Sequence, residues 1–88
     1  MKLFYYQDPG HGWVKVSNNL LNKLAINDKI SSYSYMRKDY AYLEEDCDVG
    51  ILFDALEKKG IKCEVISKVS RNRSSKIRSY DRYHNGGY

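Results

Sequence analysis

The stretch ISSYSYMRKDYAYLEEDCDVGILFDALEKKG, Ile30 to Gly60, carries two hydrophobic periods in succession, and the change from one to the other decides the fold. Ile30 to Met36 alternates polar and apolar residues, and so does Tyr40 to Leu43. The polar Arg37, Lys38 and Asp39 between them predict a β-hairpin with a short loop. Tyr33 and Tyr35 point one way, as do Tyr40 and Tyr42. Two strands paired in register would align these rings as a cross-strand ladder, each pair contributing a few tenths to about 1 kcal/mol. From Val49 the period lengthens: Val49, Leu52, Phe53 and Leu56 follow the i, i+3, i+4, i+7 spacing of one buried helix face. Asp46 or Asp48 caps that helix, and Gly60 stops it where left-handed backbone is wanted.

Upstream, Lys2 to Tyr6 is aromatic and aliphatic and predicts a strand, ended by the turn residues Asp8, Pro9, Gly10 and Gly12. Trp13 to Val16 is a second strand, with Val14 and Val16 on one face. Ser17 is placed to cap a helix, because Val16 before it and Leu21 four residues beyond form a hydrophobic staple. Leu20, Leu21 and Leu24 make its buried stripe, which ends near Ala25. Downstream, Ile61, Cys63 and Val65 alternate with Lys62 and Glu64 as a last, half-buried strand. The order β-β-α-β-β-α-β implies an α+β domain over residues 1–66, a largely antiparallel sheet with two short helices on one face, followed by a tail at 67–88.

The 88 residues hold 15 Lys+Arg against 11 Asp+Glu, a net charge of +4, and 42% are hydrophobic. That supports one small core and leaves little room for an enclosed cavity. No apolar run approaches the roughly 20 residues that span a bilayer, and MKLFYYQDPGHG breaks into polar residues too early for a signal peptide. The expected location is therefore the cytoplasm, with no membrane contact. Cys47 and Cys63 are too few for a disulfide framework and fit no metal-ribbon spacing; both are expected as reduced thiols packed in the core.

The positive charge is unevenly placed. Residues 1–66 hold nine basic and ten acidic residues, a net of −1, and residues 67–88 hold six basic and one acidic, a net of +5. The tail SKVSRNRSSKIRSYDRYHNGGY has neither helical nor strand period, so it is expected to run over the surface or to order on a partner, with Asn85 to Tyr88 disordered. Its cations Lys68, Arg71, Arg73, Lys76, Arg78 and Arg82 suit phosphates, and Tyr80 and Tyr83 suit stacking on unpaired bases of RNA or DNA. It matches no defined nucleic-acid motif.

Nine tyrosines point to contact surfaces, since the rigid ring and hydroxyl bury area at low entropic cost. Trp13, Tyr33, Tyr35, Tyr40 and Tyr42, with the acidic Glu44, Glu45 and Asp46, are the candidate protein-binding residues. Glu44, Glu45, Asp46 and Asp48 together could hold Mg²⁺ or Mn²⁺. They come from one chain segment, however, so capping the following helix is the expected role. His11 could act as a base beside Cys47, but no nucleophile signature surrounds either; a turn-setting histidine is expected. The reading assigns no catalytic residue, no metal and no cofactor, and the oligomeric state has no signature.

Three strings, HGW at His11 to Trp13, ISSYSY at Ile30 to Tyr35 and YLEEDCD at Tyr42 to Asp48, resemble a family of small uncharacterised proteins encoded by bacteriophages and prophages. The likeness covers about residues 4–60, and IRSY at Ile77 to Tyr80 fits it too. The resemblance implies a phage accessory protein made inside a bacterium and transfers no activity to any residue. Such proteins are often counter-defence factors. The expected function is thus a non-enzymatic inhibitor of a bacterial protein or ribonucleoprotein, with a CRISPR effector as the leading target. The alternative is a nucleic-acid-binding accessory protein that uses the tail and exposed tyrosines.

Overall fold

A computed structural model describes residues 1–70 and 73–84. Six strands, β1 (Lys2–Gln7), β2 (Gly12–Ser17), β3 (Tyr35–Arg37), β4 (Tyr40–Glu44), β5 (Glu64–Val69) and β6 (Asp81–Arg82), form one sheet in the order β5-β1-β2-β4-β3-β6. Among the described residues only β1 and β5 pair in parallel; every other neighbour is antiparallel. Two helices, α1 (Asn18–Lys23) and α2 (Val49–Lys58), complete the α+β fold that the alternating periods predict. No helix among the described residues is long and apolar enough to cross a membrane.

Local chemistry sets the boundaries. The Asp8 carboxylate accepts the N–H groups of Gly10 and His11, both at 2.9 Å, and closes the β1–β2 turn. Ser17 Oγ caps α1 by accepting Leu20 N–H at 3.1 Å. At the end of α2, Gly60 takes φ +68, and the N–H groups of Gly60 and Ile61 return to the carbonyls of Glu57 and Leu56 in a Schellman motif. Leu3, Val14, Val16, Met36, Ala41 and Leu43 of the sheet meet Leu21 of α1, Leu24 just after it, and Leu52 and Leu56 of α2. Each leucine, valine or methionine among them contributes roughly 1.5–3 kcal/mol on burial.

Several expectations are corrected. The first hairpin strand is only Tyr35–Arg37, because Asp48 spends its carboxylate on Ser31 N–H, Ser31 Oγ and Ser34 Oγ instead of on the helix N–H groups, which draws residues 31–34 into a turn. Tyr35 faces Tyr42 and Arg37 faces Tyr40, so Tyr33 stands outside the ladder. The last strand starts at Glu64 rather than Ile61, since the turn after Gly60 leaves Ile61 and Cys63 packing on the core before pairing with β1 begins.

Finally, the expected division at 66/67 falls inside β5, and residues 75–84 are not a loose arm. They fold back as a strap in which Ile77 and Tyr83 are buried and β6 joins β3. Arg71 and Asn85 to Tyr88 lie outside the described residues. Cys47, expected in the core, is exposed in the turn before α2, and Cys63 is half-buried.

Candidate functional site

Strand alternation places a second set of side chains on the face away from the helices. Phe4 and Tyr6 from β1, Trp13 and Lys15 from β2, Tyr40 and Tyr42 from β4, Tyr35 and Arg37 from β3, Lys68 from β5 and Arg82 from β6 share it by register. The strap crosses this face. Ile77 packs against Trp13, Tyr35 and Tyr42 in a cluster bordered by Tyr6 and Tyr80. Trp13 meets the edge of Tyr35 at 6.2 Å, and Tyr42 meets Tyr80 at 5.1 Å, both inside the range of favourable ring pairs.

The strap's buried polar anchor is the Asp8 carboxylate. Arg78 Nε and Nη2 donate to Asp8 at 2.6 and 2.9 Å, and Ser75 N–H donates to the same carboxylate at 2.8 Å. With Gly10 and His11 this gives the fully buried Asp8 side chain five donors. Arg78 foremost, helped by the N–H groups of Ser75, His11 and Gly10 and opposed by burial, holds the Asp8 carboxyl well below the usual carboxylate range.

The cations of this face lie on its rings. Lys15 sits 4.2 Å from the Tyr40 ring centre, Arg82 4.7 Å from Tyr35, Arg37 5.0 Å from Tyr80, Arg78 5.4 Å from Trp13 and Lys68 5.9 Å from Phe4. Significant pairs of this kind occur about once per 70–80 residues. Five on one face of an 88-residue chain is a concentration of them, and it leaves the charges pre-positioned beside aromatic surface.

At one end of the face is a groove of about 380 Å³ whose lining includes His11, Glu44, Asp46 and Cys47 together with Arg78 and Arg82. His11 Nδ1 lies 3.7 Å from Glu44 Oε1, and ligand atoms of His11, Glu44 and Asp46 all lie within 4.8 Å of one another. The fold thus brings a histidine from the β1–β2 turn to two carboxylates of the acidic cluster, so the donors no longer come from one segment. One imidazole and two carboxylates are the residues that could hold a divalent cation. Partial desolvation, and after it the carboxylates of Glu44, Asp48 and Asp46, raise the Cys47 pKa and disfavour the thiolate that a nucleophile needs.

The proposed contact residues separate sharply. Trp13, Tyr35, Tyr42 and Glu44 are buried, and Trp13 Nε1 has no hydrogen-bond partner among the described residues. Glu45 accepts the hydroxyl of Tyr5, Asp46 is exposed, and Tyr33 and Tyr40 are 65% and 41% exposed. Of the tail residues, Lys68, Arg73, Lys76 and Arg82 are exposed, Arg78 is bound to Asp8, and Tyr80 is half-buried. Tyr83 is buried and donates to Asn27 O at 2.6 Å, so it is a core residue and offers no stacking face. Phe4, Tyr6, Lys15, Arg37 and Asp8 were not candidates in the sequence. Alternation in Lys2 to Tyr6 and Trp13 to Lys15 carried a signal for the first three; the Asp8–Arg78 pairing, 70 residues apart, carried none.

No family model matches the chain, and neither curated proteins nor solved structures gave a match. Fold and site together define a small α+β sheet protein with one aliphatic, helix-covered face and one aromatic, cationic face crossed by a strap.

Proposed function

We propose that the chain is a binding module for single-stranded nucleic acid that performs no chemistry of its own and makes contact through the strap-crossed face. The observation that carries this reading is the set of five cations held on rings across the sheet. Phosphates attract the exposed cations Arg37, Lys68 and Lys76 and the half-buried Lys15, while unpaired bases stack on Tyr40, Tyr80 and Phe4, each stack contributing about 1–3 kcal/mol. The tail takes part as a wall of the site, through Lys76 and Tyr80. If these four cations each neutralise one phosphate, log K falls with log salt at a slope of about −3. Fluorescence anisotropy with labelled single-stranded RNA and DNA checks this; no binding at low salt, or equal preference for a duplex, overturns it.

A second reading keeps the phage-type expectation, association with a bacterial ribonucleoprotein such as a CRISPR effector. It is favoured by the groove, where exposed Tyr33 stands beside Asp46 and Arg82 as a protein contact would require. Co-elution with a purified effector that survives ribonuclease treatment supports this reading; co-elution lost with the RNA returns the function to the nucleic-acid face.

A further inference from the structure

The strand order ends at β5, and that edge has a defined chemistry. Glu64 N–H donates to Met1 O at 2.8 Å and Ser70 N–H to Gln7 O at 2.7 Å, so the even-numbered residues of β5 direct their backbone groups inward to β1. By alternation, Val65, Ser67 and Val69 direct their N–H and C=O groups outward. Among the described residues no strand pairs with that side. The strand is six residues long without proline, and Val65 and Val69 are 44% and 54% exposed. Sheet edges of this kind are normally blunted by proline, bulges or covering chain, because they template pairing with another strand.

We propose that a second copy of this chain pairs along β5, antiparallel, as an isologous dimer that joins two six-stranded sheets into one. Outward-facing residues must oppose outward-facing residues, which restricts the two-fold to a position on a residue rather than between two. Centring on Val65 pairs only Glu64 to Ile66, because Lys62 lies before the strand, and centring on Lys68 sets that lysine opposite the partner's; both are excluded. Centring on Ile66 sets Glu64 directly opposite the partner's Lys68, at a non-hydrogen-bonded position where side chains approach closely. Centring on Ser67 sets Val65 opposite the partner's Val69 and leaves Glu64 diagonal to the partner's Lys68. In both allowed registers the edge is self-complementary: Glu64 and Lys68 meet twice, and the exposed valines are covered. The two-fold lies perpendicular to the sheet, so the cation-bearing faces of both copies look the same way.

Sedimentation velocity on the full chain across a concentration series, without nucleic acid, tests this independently of the proposed function. A concentration-dependent dimer is expected. Lys68→Glu sets like charges together twice and weakens dimerisation about tenfold, and the exchange Glu64→Lys with Lys68→Glu restores it. Ser67→Pro removes an outward N–H, spares the bonds to β1, and yields monomer with an unchanged circular dichroism spectrum. A monomer at every concentration, a dimer that Lys68→Glu leaves intact, or an exchange that fails to restore pairing overturns the proposal.

Discussion

The two faces of the sheet are both closed by later chain, yet they are closed by different means. On one, α1 and α2 press Leu21, Leu24, Leu52 and Leu56 onto Leu3, Val14, Val16 and Leu43. On the other, a short strap lays Ile77 over Trp13, Tyr35 and Tyr42 and is fastened by the partly exposed Arg78 to the buried carboxylate of Asp8. The first face is sealed by area, which is non-directional and redundant. The second is sealed by the packing of Ile77 and by one carboxylate that takes three donors from the strap, so it depends on a few named atoms and leaves rings and cations near the surface. A face closed in this way suits binding, because its charged groups are positioned without being consumed by the core.

Substitutions on the two faces should therefore fail differently. The largest effect is expected at Leu52, fully buried under the sheet: Leu52→Ala should cost about 4 kcal/mol and lower the midpoint of chemical unfolding for all probes together. Arg78→Ala should cost about 2 kcal/mol, below the range for a fully buried pair because Arg78 itself is partly exposed and Asp8 keeps the N–H groups of Gly10, His11 and Ser75. Its signature should be local, with Trp13 fluorescence and exchange of the Ser75 amide changing while far-UV circular dichroism holds.

The faces also separate by pH. Asp8 has a depressed pKa in the fold, so its contribution is complete above the unfolded carboxylate value near ~4 and is lost as pH falls below it. Acid titration should release the strap, read by Trp13 fluorescence, before the helix-covered face unfolds. Tyr5, on the helix side, behaves oppositely: burial first and then the hydrogen bond to Glu45 push its pKa up to about 12, so its contribution is present below about 10 and lost as pH rises between 10 and 12. Gly12→Ala tests the same corner. A Cβ there overlaps the Tyr5 ring, so the variant should lose about 2 kcal/mol and bring the Tyr5 titration back toward that of a free tyrosine. The smallest change in stability is expected at Tyr40, where Tyr40→Ala should leave the fold intact and weaken single-strand binding by about 1 kcal/mol or more.

The helix-covered face was legible because apolar periodicity is written in consecutive residues: the Val49 to Leu56 stripe, the Ser17 cap and the Gly60 stop all stand where the pattern places them. The strap was not legible, since Lys76 to Tyr83 offers two buried residues, Ile77 and Tyr83, without a period, and its anchor lies at the other end of the chain. Ser31 and Ser34 misled in the same way: their alternation reads as a strand, but a long-range carboxylate, Asp48, outcompetes the ladder for their donors. Tyrosine composition alone could not separate Tyr40, which is accessible, from Tyr35, Tyr42 and Tyr83, which are buried in the structure.

The choice between faces is open to one direct observation: amide chemical-shift mapping of the full chain titrated with single-stranded RNA. Binding through the strap-crossed face predicts shifts clustered at Phe4, Lys15, Arg37, Tyr40, Lys68 and Tyr80, with Leu21 of α1 and Leu52 of α2 unmoved. Shifts centred on the helices, or none at saturating RNA and low salt, would contradict it.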